Sequence, residues 1–339
     1  MGPSVNPLLR PDVDLPRSAV SRSATIAFLV AATTCVALLA GCASAETAEP
    51  LHMSREALGT VVAITAYPAA DDSRAAEAID AAYEAMAAVE AELDAHAADS
   101  AIARVNAAPE PALEPLPPYA EDVLDAICVL EVREWFSPQL WAATELWAFE
   151  AGGHVPTTAE LEAALGDGRY DFGGAAKGLA LDEAAEALRA AAGVDAALIA
   201  SGSTTLAYGT KPHSEPWRIG VEDPRDPSAL IATIEAAGDI TVSTSGDYQR
   251  AFERNGVLYH HILDPATGRP ALGFRSLTVV GDISGLDSDI LSTALFVAGP
   301  ARAMSFAEEH GLGLVVVDAG GRTHIVPGPE GRTWEIVTE

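Results

Sequence analysis

Apolar residues recur with helical spacing through much of the first half of the chain. A short strand pattern at residues 60–66 (TVVAITA) is followed by an Ala- and Glu-rich stretch that is typical of a long helix. Residues 107–118 are rich in proline and predict a loop. After Pro156 a short helical pattern begins, with Thr158 as its predicted N-cap. The predicted helices of this half cover residues 73–97, residues 119–132, the segment AELEAAL and residues 179–192.

The second half of the chain is dominated by short strand patterns. Several follow one another without an intervening helix: AALIA, TLAYG, WRIGVE, ALIATIEA, DITVST and VLYHHILD. The end alternates, with strand SLTVVGD, helices DSDILSTALFVA and PARAMSFAEEH, and strands GLVVVDA and RTHIVP. Strands in direct succession favour antiparallel pairing, so we predict an α+β fold of largely antiparallel sheets packed with helices. We find no linker that divides residues 51–339 and predict that they form one domain.

The N-terminus has the order of an export signal. Three arginines precede an uncharged, mostly apolar run at residues 24–41 (ATIAFLVAATTCVALLAG), which is typical of a signal peptide. The run is also about long enough to span a bilayer, so a transmembrane anchor is the alternative. Its ending, LAGC, resembles a bacterial lipobox in which Cys42 carries lipid; a small-residue cleavage site with an incidental cysteine is the other interpretation. We predict a lipoprotein signal peptide at residues 1–41 and a tether at residues 42–50, which places the protein on the extracytoplasmic face of the cell membrane.

Charge and cysteine content narrow the choice of partners. The formal net charge of -29 argues against nucleic acid, because phosphate backbones are bound by clustered Lys and Arg. A phosphorylated small ligand is still allowed, since one metal ion and a few backbone N–H groups can hold a pyrophosphate in an acidic protein. Of the three cysteines, Cys35 lies in the apolar run and Cys42 in the lipobox. Cys128 is therefore left without a disulfide partner and is predicted to be a core residue of a helix.

Three clusters of residues carry candidate chemistry. The first is DFGGAAKG at residues 171–178, immediately before a predicted helix. Small residues at a helix entrance let backbone N–H groups approach an anion, and the helix N-terminus adds favourable partial charge. Lys177 would stand beside the ligand. A tight turn into a packed helix is the alternative, because the segment is neither a Walker loop nor a GxGxxG fingerprint.

The second cluster is YHHILDPATG at residues 259–268. Its Asp-Pro-x-Thr-Gly segment is turn chemistry, because proline fixes φ and glycine permits a positive φ. Successive strand residues point to opposite faces, so one of His260 and His261 faces the interior or a cleft and the other faces solvent. A structural role for such a histidine is the alternative to a catalytic one. Just upstream, TSGDY at residues 244–248 places hydroxyls and a carboxylate at a strand end.

The third cluster is DILST at residues 289–293. On a helix, positions i, i+3 and i+4 share one face, so Asp289, Ser292 and Thr293 present a carboxylate and hydroxyl oxygens together. Oxygen ligands of this kind suit Mg²⁺ or Ca²⁺, and the sequence shows no His/Cys spacing that indicates zinc. The alternative is a helix N-cap, in which Asp289 accepts hydrogen bonds from helix N–H groups.

The order of these clusters resembles the FAD:protein FMN transferase family (the ApbE family). Each piece is weak by itself, but eight pieces in the family's order are specific, and they cover nearly the whole of residues 51–339. The pieces are Leu58-Gly59-Thr60; Asp99-Ser100 with Ile102, Arg104 and Asn106; Leu146-Trp147-Ala148-Phe149; residues 171–178 with Asp182; Trp217-Arg218-Ile219-Gly220; residues 244–248; residues 261–268; and residues 289–293 with Ala294.

The resemblance implies an ApbE-like (T-fold-like) flavin transferase fold with a site for FAD and Mg²⁺. By the family's pattern, Mg²⁺ would be held by the side chains of Asp289 and Thr293, an oxygen of Ser292 and the backbone carbonyl of Gly174. His261 stands at the family's histidine before the Asp-Pro-x-Thr-Gly turn and would be the general base. The implied FAD contacts are Leu58, His96, Trp135, Phe136, Ser137, Asp171, Lys177 and the backbone at Ile262.

The implied reaction is the transfer of FMN from FAD to a threonine hydroxyl of an acceptor flavoprotein, with release of AMP. The metal would withdraw charge from the pyrophosphate while the base takes the hydroxyl proton. Two alternatives remain: an FAD pyrophosphatase, which would release FMN and AMP, and a non-catalytic flavin-binding lipoprotein. The expected acceptor is a membrane redox protein outside the cytoplasm, and no nucleic acid is expected as a partner.

The sequence departs from the family's pattern at four places. His96 stands where relatives commonly have tyrosine, Ser137 where aspartate is usual, and Trp141 where glycine is expected. At residues 202–204, Gly-Ser-Thr replaces Gly-Gly-Asn/Asp. Most of these departures concern the grip on FAD rather than the metal or the base.

Overall fold

A computed structural model describes residues 49–68, 74–191 and 193–338 of the chain. Over these residues the chain forms antiparallel sheets packed with helices, so the predicted α+β class is confirmed. The predicted signal peptide, Cys42 and most of the predicted tether lie outside the described residues. In the described ranges, no helix is both long enough and apolar enough to cross a membrane.

Thirteen strands and eight α-helices make up the described part of the chain. The strands are β1 (Leu51–Ala57), β2 (Thr60–Pro68), β3 (Val194–Ser201), β4 (Thr204–Tyr208), β5 (Trp217–Asp223), β6 (Asp226–Ala236), β7 (Ile240–Gly246), β8 (Ala251–Arg254), β9 (Val257–His260), β10 (Phe274–Gly281), β11 (Gly313–Asp318), β12 (Thr323–Val326) and β13 (Trp334–Thr338). The helices are α1 (Ala75–Leu93), α2 (Ala101–Asn106), α3 (Pro118–Val129), α4 (Trp141–Trp147), α5 (Thr158–Leu165), α6 (Ala176–Ala190), α7 (Gly285–Ala298) and α8 (Pro300–His310).

Eight strands form the main sheet, in the order β1-β2-β3-β4-β7-β10-β11-β12, and each neighbouring pair is antiparallel. Strands β13, β6 and β5 form a second sheet, and β8 and β9 form a separate hairpin. Leu58 and Gly59 connect β1 to β2, and Asn255 and Gly256 connect β8 to β9; all four have a positive φ. Positive φ at both central residues is the condition of a type I′ turn, whose twist matches that of the paired strands.

The main sheet is buried on both faces. One face packs on α1, α6 and α7, and the other packs on the three-stranded sheet. In β11, Leu314 and Val316 belong to the core beneath the helices, while Val315 between them packs with residues of the three-stranded sheet. A strand covered on both sides is apolar at consecutive positions, which explains the continuous run GLVVVD.

The structure corrects two predicted helix starts. Helix α6 begins at Ala176 instead of residue 179, so Lys177 lies in its first turn. The N-cap of α5 is Thr157 and not Thr158, because Thr157 Oγ1 accepts the N–H of Glu160 at 3.3 Å and the Glu160 carboxylate accepts the N–H of Thr157 at 2.7 Å. This reciprocal capping box satisfies N–H groups that the helix itself leaves unpaired. The prediction for Cys128 is also wrong in degree, since this residue of α3 is only half-buried.

Five elements, namely β1, β8, β13, α2 and α4, have no counterpart in the sequence prediction. Most are short, and much of their order comes from contacts that are distant in sequence. Strand β1 pairs along its whole length with β2. Helix α4 ends at Trp147, which is fully buried and donates from Nε1 to the carbonyl of Gly268 at 2.8 Å.

Candidate active site

Two adjoining cavities lie where the β1–β2 turn, the ends of β4 and β7 and the first turn of α6 meet. The larger has a volume of about 1070 Å³ and the smaller a volume of about 130 Å³. A ligand in the larger cavity can extend into the smaller one, because part of the wall is common to both. This shared wall, which we call the junction, consists of Asp171, Gly173, Lys177, Ser203, Thr244, Gln249 and Arg250.

The β1–β2 turn and strand β5 both contribute to the wall of the larger cavity. Leu58, at the tip of the turn, has φ 55°, a left-handed conformation that costs a residue with a side chain about 1–2 kcal/mol. Such strained residues cluster at ligand sites. From β5, Ile219 and Val221 add apolar surface, and Tyr248 follows β7 on the same wall.

His96 and Trp141, two of the residues that depart from the family's pattern, come together in the structure. His96 lies on the wall of the larger cavity after the end of α1, and its backbone N–H donates to Asp94 Oδ1 at 2.9 Å. Trp141, at the start of α4, places its ring 4.7 Å from the imidazole, centroid to centroid. The bulky residue at position 141 therefore supports a histidine ring at the cavity wall.

Helices α6 and α7 cross at a pair of glycines. A Cβ atom on Gly178 would lie 2.0 Å from the carbonyl oxygen of Gly285, and one on Gly285 would lie 2.4 Å from that of Gly178. The two oxygens of Asp182, also on α6, accept the N–H groups of Gly285 at 2.7 Å and Leu286 at 2.8 Å. Burial raises the pKa of Asp182 to about 6. These contacts fix the start of α7 against α6.

The crossing brings Asp289 to the first turn of α6. Its Oδ2 accepts the N–H of Gly178 at 3.0 Å, and its Oδ1 accepts the hydroxyls of Thr204 at 3.1 Å and Ser243 at 3.2 Å. Such hydrogen bonds compensate for the burial of the carboxylate, which is only 4% exposed. The N-cap alternative is wrong for α7, because that helix is capped by Ser284 and Asp289 lies within it.

A cation could be held by three oxygens on the smaller cavity, those of Gly174, Asp289 and Thr293. Gly178 donates its N–H to Asp289 rather than to the carbonyl four residues earlier, which is that of Gly174. A Cβ on Gly174 would lie 4.0 Å from Thr293 Oγ1, which shows how close these two residues are. A set made of carboxylate, hydroxyl and carbonyl oxygens fits Mg²⁺. Among the described residues, no group of three or more His, Cys, Asp and Glu could hold a metal.

Ser292 lies behind this set and is not part of the wall of either cavity. Its hydroxyl is 1% exposed, donates to the carbonyl of Asp289 at 3.0 Å and is 2.9 Å from Ser245 Oγ. Ser245 Oγ also lies 3.0 Å from Thr293 Oγ1. The side chain of Ser292 is therefore placed to orient its neighbours.

Three hydroxyl groups of the site were not predicted from the sequence. Those of Thr204 and Ser243 position Asp289, and that of Ser245 lies within hydrogen-bond distance of Ser292 and Thr293. A signal for them existed in β7, whose residues ITVSTSG are almost all buried. Ile240 and Val242 pack toward the three-stranded sheet, while Ser243 and Ser245 face α7. Polar residues at alternate positions of a strand that is covered on both faces indicate a buried polar site.

The loop before α6 is held by its own polar groups. Asp171 Oδ1 accepts the N–H of Gly173 at 2.8 Å, an Asx-type turn, and the N–H of Asp171 donates to the carbonyl of Pro138 at 2.7 Å. The second bond ties this loop to Ser137 and its neighbours. Lys177 Nζ donates to the carbonyl of Gly173 at 3.2 Å, so the ammonium group folds back over the loop at the junction.

The two adjacent histidines have separate environments. His260 ends β9, is 4% exposed, and forms a hydrogen bond of 2.9 Å between Nε2 and the carbonyl of Ala271, with its ring edge-on to Phe296. This is a packing role. His261 follows the strand, lies on the wall of the smaller cavity and donates its backbone N–H to the carbonyl of Arg250 at 3.0 Å.

Burial lowers the pKa of His261 to about 3, and the nearby positive charges of Arg250 and Lys177 contribute. Its imidazole is therefore neutral at pH 7. Nδ1 is buried and has no hydrogen-bond partner among the described residues. The neutral ring is thus able to accept a proton from a group in the smaller cavity.

All the site residues predicted from the sequence except Ser292 lie on one or both cavities. Leu58 and His96 line the larger cavity, and Asp171 and Lys177 belong to the junction. The smaller cavity is lined by Trp135, Phe136, Ser137, Gly174, His261, Ile262, Asp289 and Thr293.

Comparison with known proteins gives a consistent result. The ApbE family model matches residues 58–317. The chain is 34% identical over 147 residues to the FAD:protein FMN transferase of Vibrio cholerae, covering 43% of this chain and 44% of that protein. It is 34% identical over 168 residues to the FAD:protein FMN transferase of Treponema pallidum, covering 47% of this chain and 46% of that protein. The matched segments thus span less than half the length of these curated relatives.

The fold is similar over a larger share of the chain. The crystal structure of the ApbE protein from Thermotoga maritima superimposes with a TM-score of 0.72 at 28% sequence identity, covering 81% of this chain and 96% of that one. Because the family model matches most of its length, this chain belongs to the ApbE family.

Proposed function

We propose that this protein transfers FMN from FAD to a threonine hydroxyl of an acceptor flavoprotein, with Mg²⁺ as the metal and AMP as the second product. One observation carries the proposal: His261 and the oxygens of Gly174, Asp289 and Thr293 share a small cavity that opens into a large one. A volume of about 1070 Å³ is at the upper end of the roughly 300–1,000 Å³ that is usual for small-molecule pockets, which suits a dinucleotide.

In this proposal the pyrophosphate of FAD lies at the junction. There the ammonium group of Lys177, in the first turn of α6, would face the phosphate oxygens, and the helix N-terminus would add favourable partial charge. Mg²⁺ bound to Asp289, Thr293 and Gly174 would withdraw negative charge from the phosphorus that is attacked. Thr204 and Ser243 hold the carboxylate of Asp289 in one orientation, so that little reorganisation is needed during the reaction.

His261 takes the proton of the acceptor threonine as its hydroxyl oxygen attacks the phosphorus of the FMN half. The new O–P bond forms while the bond from that phosphorus to the bridging oxygen breaks, and AMP leaves with that oxygen. Phosphate charge at the junction would offset the positive charges of Arg250 and Lys177, which raises the pKa of His261 from about 3 toward the working range of a base.

The test is incubation of the full chain with FAD, Mg²⁺ and an exported flavoprotein acceptor, followed by mass spectrometry. The expected result is the mass of FMN on an acceptor threonine, with one AMP per transfer. Release of free FMN and AMP without modified acceptor would identify a pyrophosphatase instead. Retention of intact FAD without either product would identify a flavin-binding protein.

Variants separate the two parts of the site. We expect His261→Ala to bind FAD nearly as tightly as the wild type but to lose transfer, because only the base is removed. Asp289→Ala should weaken binding of both Mg²⁺ and FAD. His154→Ala is the matched control, since this exposed histidine lies outside both cavities and faces Glu160. Unchanged turnover in His261→Ala would eliminate the base assignment.

We also propose that the protein is anchored by lipid on Cys42 at the extracytoplasmic face of the membrane. The support is the sequence pattern, an apolar run that ends in LAGC. In a bacterial host, the wild type should incorporate labelled fatty acid and begin at Cys42, and Cys42→Ser should abolish that incorporation. A membrane-bound wild type that retains the full precursor mass and carries no fatty acid would favour a transmembrane anchor.

A further inference from the structure

Positive charge is scarce on the walls of the two cavities. Among the described residues, the only Lys and Arg side chains that line the cavities are those of Lys177 and Arg250. The larger cavity alone is lined by five carboxylates. Both cations belong to the junction. In a protein with a net charge of -29, an anionic group is therefore favoured at this one place. The five carboxylates belong to Glu90, Asp94, Glu150, Asp171 and Glu222.

The two cations differ in how far they are already engaged. Lys177 donates to the carbonyl of Gly173 at 3.2 Å. The carboxylate that faces Arg250 is that of Glu150, and the distance between Nη1 and Oε1 is 4.0 Å, which is too long for a hydrogen bond. Both side chains are exposed, at 46% for Arg250 and 81% for Glu150. An exposed ion pair of this kind is weak, so Arg250 can readily exchange it for a better partner.

The backbone of Arg250 is fixed beside the proposed base. Its carbonyl accepts the N–H of His261, and the next residue, Ala251, pairs with His260 in the β8–β9 hairpin. Arg250 and His261 both line the smaller cavity, and the positive charge of Arg250 adds to burial in lowering the pKa of that imidazole. A planar guanidinium group can donate hydrogen bonds to two phosphate oxygens at once, whereas an ammonium group acts as a point charge.

We infer that Arg250 binds the pyrophosphate of the nucleotide directly and that Glu150 competes with the phosphate for it. In the free protein the guanidinium group faces Glu150; in the complex it turns to the phosphate oxygens at the junction. Glu150 then weakens nucleotide binding twice, by holding Arg250 and by repelling the anion. The nature of the ligand rests on the proposed function, whereas the roles of the two residues rest on the contacts described above.

The two residues should therefore change affinity in opposite directions. In buffer with Mg²⁺, we expect Arg250→Gln to weaken binding of FAD and of ADP by about 10- to 100-fold, the range for charge-assisted hydrogen bonds. Arg250→Lys should recover part of the lost affinity, because lysine keeps the positive charge but lacks the planar guanidinium group. Glu150→Gln should tighten both by about two- to fivefold. Riboflavin, which has no phosphate, should bind all four proteins equally.

The control is Arg254→Gln, which removes a nearby arginine that donates to the carbonyl of Gly153 and lies outside both cavities. It should bind FAD as the wild type does. Fluorescence titration gives the FAD and riboflavin affinities, calorimetry gives that of ADP, and melting temperatures identify any variant that does not fold.

Three results would overturn the inference: an FAD affinity of Arg250→Gln within twofold of the wild type, an equal loss for riboflavin, or weaker binding by Glu150→Gln. These results leave the proposed function intact if the wild type binds and transfers from FAD. If the wild type binds ADP but not FAD, the proposed function fails while the role of Arg250 is still decided with ADP. If it binds neither, both fail.

Discussion

Replacing Gly178 by alanine separates two opposite expectations. Alanine is the better helix former by about 1 kcal/mol, so local propensity alone predicts that Gly178→Ala stabilises α6. The structure predicts the reverse, since the new Cβ would lie 2.0 Å from the carbonyl oxygen of Gly285 and 2.7 Å from Cβ of Asp289. An ordinary contact between carbon and oxygen is about 3.3 Å or longer. The obstacle is backbone, so α6 and α7 must move apart by roughly 1 Å.

That displacement has two costs. Overpacking of a tight interface costs about 1–3 kcal/mol. It also stretches the 3.0 Å hydrogen bond from Gly178 to the carboxylate of Asp289, a bond to a charged group worth about 1.5–3 kcal/mol. After the gain in helix propensity is subtracted, we expect the free energy of unfolding to fall by about 1.5–5 kcal/mol.

Urea denaturation of the protein measures this change directly. Gly166→Ala is the matched control: Gly166 is the C-cap of α5, its φ of -92° is open to any residue, and a Cβ there would make an ordinary contact of 3.9 Å with the carbonyl oxygen of Ala163. It should be neutral or stabilising by up to about 1 kcal/mol. If Gly178→Ala proved as stable as Gly166→Ala, the close crossing of the helices would be refuted.

Three further predictions concern buried polar groups. Burial raises the pKa of Asp182 to about 6, so the folded state holds more protons than the unfolded state between pH 4 and 6. The free energy of unfolding of the wild type, measured relative to that of Asp182→Asn, should therefore fall as pH rises through this range. The expected fall is up to about 3 kcal/mol, and the difference should stay constant at higher pH. Urea titrations at several pH values that show no such slope would contradict it. Thr204→Val removes one hydroxyl donor to Asp289 and should weaken Mg²⁺-dependent FAD binding by roughly 3- to 10-fold, measured by fluorescence; equal affinity would exclude a positioning role. Trp147→Phe leaves the carbonyl of Gly268 unpaired and should cost about 1–3 kcal/mol of stability, and a change below about 0.5 kcal/mol in chemical denaturation would speak against that bond.

The class of fold and most of its elements followed from local patterns. Short strands in succession indicated antiparallel pairing, and long Ala-rich stretches with helical spacing indicated α1 and α6. The candidate site could also be predicted from the sequence, because the residue types at 171–178, 259–268 and 289–293 indicate its chemistry. The structure brings residues of all three clusters to one small cavity.

Contacts between distant elements could not be predicted in this way. The hydroxyls of Thr204 and Ser243 reach Asp289 because β4 and β7 pair with these two residues opposite each other, and strand register is not encoded in either segment alone. The contact between His96 and Trp141 depends on where α4 packs. Thr157 and Thr158 are equally suitable N-caps by residue type, and only the backbone geometry makes Thr157 the cap.

The hydrogen bond between Gly178 and Asp289 joins residues that are 111 positions apart in the sequence. A helix leaves its first N–H groups without an internal acceptor, so the exchange of this amide proton with solvent is governed by Asp289 rather than by α6 itself. The exchange rate of the Gly178 amide therefore reports how often α6 and α7 separate, and it can be measured on the apo protein without any flavin. A metal bound to the carboxylate of Asp289 should lower this exchange rate, so the amide of Gly178 is an intrinsic reporter of cation binding.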